Sequence, residues 1–242
     1  MVTTESERRP MTEEKVKEIL DDYSKKIALL QKQIKTVKYF DEAKLLFLDI
    51  HAITHSSYIS IDSNPTFFDI LINGLGDDDY SIMPLETDET IAWHIWHITR
   101  IEDIVGNLLI YKHDQVFCDE YALKMNTTVK DTGNAMTDKE IIDFSRQIVK
   151  KELLDYRNAV GLRTNEIIAS LTPADVKRKA DEEDKGRLLK EGCLTKDKDS
   201  IWLKDFWGRL TIAGMLCLPL TRHHMMHLPD SFAIKRFIYN SN

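Results

Sequence analysis

Seven of the eight histidines of this 242-residue chain fall in three short windows: His51 and His55 in "LDIHAITHSS", His94 and His97 in "TIAWHIWHITRIED", and His223, His224 and His227 in "RHHMMH". Histidine is only intermediate in burial and needs a partner for each ring nitrogen once inside, so clustering in apolar sequence points to a bound metal. On a helix, residues four apart lie on one face about 6 Å apart along the axis, which makes His223 and His227 a chelating pair. A third histidine from a facing helix, His97 or His94, would complete a three-ligand set with positions left open, the arrangement of catalytic rather than closed structural zinc sites. His51 and His55 are then candidates for a fourth ligand, or for orienting a ligand by hydrogen bond. Glu102 and Asp103, a turn or more past His97, are candidates to accept a hydrogen bond from a ligand's second nitrogen. Imidazole ligands suit zinc, nickel, iron or copper. The expected cofactor is a divalent ion, zinc or nickel ahead of iron. Ligation requires neutral imidazole, so affinity is expected to fall as pH drops through about 6.5.

Other chemistries are excluded by absence of their motifs. No histidine has a glutamate three residues before it, which removes ferritin-like di-iron bundles, and the chain has no HExxH, no GxSxG and no glycine-rich phosphate loop. Cys217 lies in an apolar run and reads as inert core, and three cysteines without CxxC spacing support neither a disulfide framework nor a zinc knuckle. A reducing cytoplasm is the expected home. A net charge of −7 and an isoelectric point near 5.6 argue against nucleic acid as a partner. The first ten residues, "MVTTESERRP", lack the apolar core of a signal peptide, and the run "LTIAGMLCLPL" is too short to span a bilayer, so no membrane partner is expected.

The elements that must position these residues read as helices. Glycine (9) and proline (6) are scarce, and apolar residues recur at three- and four-residue spacing, which gives an all-α class and one domain over residues 1–242. An accessory amphipathic helix is predicted over 12–37, with Thr12 as its cap and Val16, Ile19, Tyr23, Ile27, Leu30 and Ile34 on one stripe. Four core helices follow at about 41–57, 88–111, 138–171 and 200–228. Thr87 or Asp88 would cap the second, which is apolar round its whole circumference and therefore internal, and the box "TDKE" opens the third. Between the third and fourth, Pro173 to Asp199 is charged enough to be a surface excursion with short helical turns. Pro219 predicts a kink just before the last histidines, and Pro229 is expected to end the helix.

The block "LDIHAITHSS", the "AWxxWHxxRxED" spacing at 92–103 and the C-terminal HxxxH resemble, in this order, the DinB-like metal-binding four-helix bundles. That family also includes bacillithiol- and mycothiol-dependent transferases and the N-terminal domain of ergothioneine-forming sulfoxide synthases. The resemblance implies an up-down four-helix bundle with three histidines around one divalent metal, falling here on His97, His223 and His227, with His224 off that face. Family members commonly continue past the final histidine with glycine and Gln or Glu, whereas this chain has "LPD". The accessory helix and the charged excursion lie outside the motifs and are candidates for a homodimer interface or a lid.

The function this implies is a metal-dependent thiol S-transferase acting on a small-molecule thiol or another small substrate. Metal-dependent hydrolysis uses the same site, and a non-catalytic, stress-responsive metal-binding protein is the reading from another class. Catalytic residues beyond the ligands are not assigned. A polar pocket beside the metal would favour turnover, and a sphere closed by His51 or His55 would favour simple binding.

Overall fold

The structure, a computed structural model, describes residues 11–60, 64–85 and 87–241, so the signal-peptide reading of the first ten residues lies outside the described residues. Regular structure among the described residues is helical, apart from one isolated antiparallel bridge between Lys179 and Thr211. No helix among them is long and apolar enough to cross a membrane.

Helix α1 (Glu13–Gln33) starts at Thr12, whose hydroxyl accepts from the Lys15 amide at 3.3 Å, and buries Val16, Tyr23, Ile27 and Leu30 of the predicted stripe. It packs on α2 (Phe40–Ile53), which carries His51 and leaves His55 just past its end. The short α3 (Phe67–Ile72) is fixed by a reciprocal box between Thr66 and Asp69. Helix α4 (Ile91–Asp103) is buried at every position, the consequence of its all-round apolar pattern. Its cap is Thr90, not Thr87 or Asp88: the Thr90 hydroxyl accepts from the Trp93 amide at 3.1 Å and meets Ser145 Oγ at 2.6 Å, a tertiary contact that fixes the start. The chain continues without a break as a π-helical stretch, Ile104–Tyr111, and leaves it at Lys112 with φ of 60°.

After α5 (Asp119–Met125), the helix expected over 138–171 is two: α6 (Asp138–Gln147), opened by the Thr137–Glu140 box, and α7 (Lys150–Ser170). Between them Val149 is extended and its amide donates to the Met125 carbonyl at 2.9 Å, so a bond to α5 replaces one turn of helix. The charged excursion contains α8 (Glu182–Lys190) and is anchored by buried Val176, Leu188, Cys193 and Leu194.

The expected helix over 200–228 is also divided. Helix α9 (Lys198–Arg209) stops where Thr211 pairs with Lys179 and the Ile212 amide donates to the Arg178 carbonyl at 2.8 Å. Thr211 then caps α10 (Ile212–Cys217). At Pro219, where a kink is predicted, the chain forms a π-helical turn, Leu218–Arg222, closed by the His223 amide on the Leu218 carbonyl at 2.9 Å. The missing proline N–H removes the ordinary bond, and the wider turn accommodates the loss. Helix α11 (His224–Ser241) runs through Pro229 instead of ending there. Beyond the proline, buried Phe232 packs on Phe67 with ring centroids 4.5 Å apart, and the Lys235 ammonium donates to the Ile70 and Asn73 carbonyls at 2.8 and 2.7 Å. This packing outweighs the roughly 3 kcal/mol that an internal proline costs. One connected set of buried apolar residues reaches from Val16 on α1 to Ile238 on α11.

Candidate metal centres

Helix α4 and the segment around His223 present histidines in two directions, and the structure gathers them into two separate groups. The outer group is His97, His223 and His227, and the inner is His51, His55 and Glu102; in each, one candidate ligand atom per residue lies within 4.8 Å of the others.

In the outer group, His97 comes from the middle of α4 and the other two from the joint into α11. The His97 Nδ1 donates to the Thr132 carbonyl at 2.7 Å; a carbonyl only accepts, so Nδ1 carries the hydrogen and Nε2 keeps its lone pair for a ligand. The Nε2 atoms of His223 and His227 face each other at 3.2 Å. Two nitrogens on one tetrahedral zinc stand about 3.3 Å apart, so this pair already has the spacing of a chelate. His94, weighed as an alternative to His97, places its Nδ1 3.1 Å from the His227 Nδ1. It therefore holds His227 by that nitrogen and turns the other toward His223. Trp93 stacks on His97 with centroids 4.6 Å apart and planes 9° from parallel.

These imidazoles are held neutral. Burial pushes His97 down to about 4 against the opposing pull of the Thr132 carbonyl, and, together with neighbouring histidines, pushes His94 to about 3, His227 to about 2 and His223 well below its ordinary value. Protons compete with metal only where the empty site takes them up, so the expectation of lost affinity moves from about pH 6.5 to lower pH.

A loop positions α4. The consecutive carbonyls of Lys130, Asp131, Thr132 and Gly133 accept from Arg100, Trp96, His97 and Trp93 in turn, at 2.7, 3.1, 2.7 and 3.2 Å. Gly133 has φ of +77°, and a Cβ there would stand 2.8 Å from the Trp93 Nε1, so both conformation and space require glycine. The turn formers in "DTGN" signal the bend of this loop, but nothing local signals which helix its carbonyls meet.

His223 and His227 are half-buried and, with His97, line a cavity of about 280 Å³ walled by Trp93, Ile101, Trp202, Phe206, Trp207, Leu218 and Met226. Asn134 is its other polar lining residue, and no charged side chain is among them.

Glu102 faces the opposite way. Its Oε1 accepts from His51 Nε2 at 2.6 Å and from Thr164 Oγ1 at 2.6 Å, and its Oε2 from His55 Nε2 at 2.9 Å. His224, off the outer face as the resemblance implies, brings its Nε2 to 3.4 Å from Oε2. Burial alone would raise Glu102, but His55 and His51 hold it well below the usual carboxylate range. His55 is pushed down to about 3 by burial and by buried Arg157. Gly161 on α7 makes room for this group, since a Cβ there would lie 2.8 Å from His55 Nδ1. Neither Glu102 nor His51 nor His55 therefore completes the outer trio. Asp103 does not either: it accepts from Arg100 at 3.0 Å, Tyr156 at 2.6 Å and the amides of Val116 and Phe117, both at 2.9 Å. Cys217 is buried and its thiol pushed up to about 12, as inert core should be.

A helical protein with clustered buried imidazoles, one cluster opening on a cavity and one including a carboxylate, has the donor set of a metal-binding helical protein. The family model of the DinB superfamily matches residues 61–228, well over half of the chain, and the chain belongs to that superfamily. No curated protein matches it. The matched segment carries His97, His223 and His227, whereas His51 and His55 precede it.

Proposed function

We propose that the chain is a divalent-metal-dependent S-transferase, with His97, His223 and His227 holding one ion, zinc or nickel ahead of iron. The observation that carries this reading is the position of the three imidazoles on the wall of an aromatic, uncharged cavity. A divalent ion held there supplies Lewis acidity that lowers the pKa of a thiol. The chain's own residues do the remainder. Thr132 fixes the His97 tautomer, His94 orients His227, and Trp93 keeps the His97 ring from rotating. The walls of Trp202, Phe206 and Trp207 receive an apolar electrophile and exclude water from around it. His51 and His55 belong to the inner group, so they do not close the sphere in the way that would favour mere storage. The polar pocket expected to favour turnover is not found, since apart from the histidines only Asn134 is polar in the lining; an apolar cavity suits an uncharged aromatic or alkyl electrophile. We further read α2, α4, α7 and α11 as the up-down bundle of the superfamily.

The test is spectroscopic and kinetic. With cobalt in the outer site, adding bacillithiol, mycothiol, glutathione or coenzyme A in turn is expected to produce a sulfur-to-metal charge-transfer band with at least one of them. That thiol should be consumed with a chlorodinitroarene faster than in buffer, and His97→Ala should remove both signals. A fully loaded protein whose spectrum no thiol perturbs would sink the transferase reading in favour of hydrolysis or of binding without turnover.

A further inference from the structure

Three buried nitrogens of the inner cluster, His51 Nδ1, His55 Nδ1 and His224 Nε2, have no hydrogen-bond partner, and the last of them faces a carboxylate. Thr54 Oγ1 has one hydrogen, and its shorter bond, 2.9 Å, goes to the His51 carbonyl. Toward His224 Nδ1, at 3.1 Å, the hydroxyl therefore accepts, so Nδ1 carries the hydrogen of this imidazole and Nε2 carries the lone pair. That lone pair points at Glu102 Oε2 across 3.4 Å and has no hydrogen-bond partner. Two acceptors face each other in a place where His51, His55, Glu102 and His224 are all 0% exposed. Such an arrangement is costly unless a cation lies between them.

The surrounding atoms supply a donor set once the Nε2 hydrogens that His51 and His55 give to Glu102 shift to Nδ1, an atom with no hydrogen-bond partner in either ring. The Nε2 atoms of His51, His55 and His224 all converge on one carboxylate, and they come from α2, the turn after it and α11, while the carboxylate comes from α4. Thr164 on α7 donates to Oε1 and holds the carboxylate in place. Three imidazoles and a carboxylate suit a four-coordinate zinc or iron(II): His51, His55 and Glu102 each bring one ligand atom within 4.8 Å of the others, and His224 Nε2 stands 3.4 Å from the same carboxylate. With every ligand buried there is no position for substrate, which is the mark of a closed structural site.

We propose that His51, His55, Glu102 and His224 bind a second divalent ion, independent of the outer one, that fastens α2, α4 and α11 together. The ion enters as the chain folds and leaves only when the helices part, whereas the half-buried outer trio exchanges with solvent.

Zinc content per folded chain tests this, with His97→Ala/His227→Ala removing the outer site and circular dichroism confirming the fold. The full chain is expected to hold two zinc ions and the double variant one. EDTA should strip one ion from the native full chain quickly and the second only in denaturant. Adding His224→Ala to the double variant should weaken the remaining ion about a hundredfold. One ion in the full chain and none in the double variant overturns the proposal and assigns the 3.4 Å contact to a proton on His224. One ion in both sustains the inner site and instead refutes the outer one on which the transferase reading rests.

Discussion

The orientation of His97 is written in one bond, from its Nδ1 to the Thr132 carbonyl, and that of His227 in another, to His94. Removing a ligand and removing its support therefore have different consequences. His97→Ala, His223→Ala and His227→Ala should each abolish tight binding at the outer site, read as zinc retained after gel filtration. His94→Ala should weaken it about ten- to hundredfold, the usual cost of losing a ligand's orienting partner. Loss of the metal on His94→Ala with retention on His97→Ala would reverse the assignment on α4. Gly133→Ala belongs to the same scale. It forces a positive φ on a residue with a Cβ and presses that atom on Trp93, so a destabilisation of about 1–3 kcal/mol in urea unfolding is expected, with weakened metal binding. An unchanged midpoint would show that the loop does not constrain α4.

At the scale of elements, Asp103 joins α4 to the segment at Val116 and Phe117 and, through Tyr156, to α7. Because an amide would turn its own N–H groups toward these donors, Asp103→Asn should destabilise the fold by about 3–5 kcal/mol, the range for breaking one side of a buried charged network. Calorimetry showing a loss under about 1 kcal/mol would mean that the network is dispensable. Lys235 plays the comparable part between α11 and α3. Its ammonium satisfies two carbonyls, so Lys235→Met should cost about 1–3 kcal/mol and destabilise the docking of α11 beyond Pro229. Faster amide exchange confined to residues after 229 is the expected signature.

At the scale of the whole molecule, His55, His94, His97, His223, His224 and His227 all have proton affinities depressed in the fold, each chiefly by burial. In the unfolded chain each takes a proton near its ordinary value of about 6.5. Below that pH the unfolded state binds more protons than the native one, so stability falls as pH falls, by about 1.4 kcal/mol per pH unit for every proton taken up. With several such groups, the metal-free protein should be stable above pH 7 and unfold cooperatively well above pH 4. Ellipticity that stays native to pH 4 in a metal-free sample would contradict this. Bound metal should extend the stable range downward, since ligation holds the same imidazoles deprotonated.

The helical class, the internal character of α4, the caps at Thr12 and Thr137 and the pairing of His223 with His227 were all legible in the sequence, because each depends on residues within a few positions of one another. Helical periodicity also sends His224 away from His223, which follows from 3.6 residues per turn alone. What local sequence did not determine were features fixed by partners far along the chain. The division at Val149 depends on the Met125 carbonyl and the division at Thr211 on Lys179. Continuation through Pro229 depends on Phe67 and on the end of α3. The sorting of the histidines into two groups is of the same kind: His51 and His55 meet Glu102 instead of the outer trio because the fold brings together groups 51 and 47 positions apart in sequence, at 2.6 and 2.9 Å. Spacing along one helix identifies which side chains share a face, but the element opposite that face is chosen by the burial of the whole core, and only the tertiary structure contains that choice.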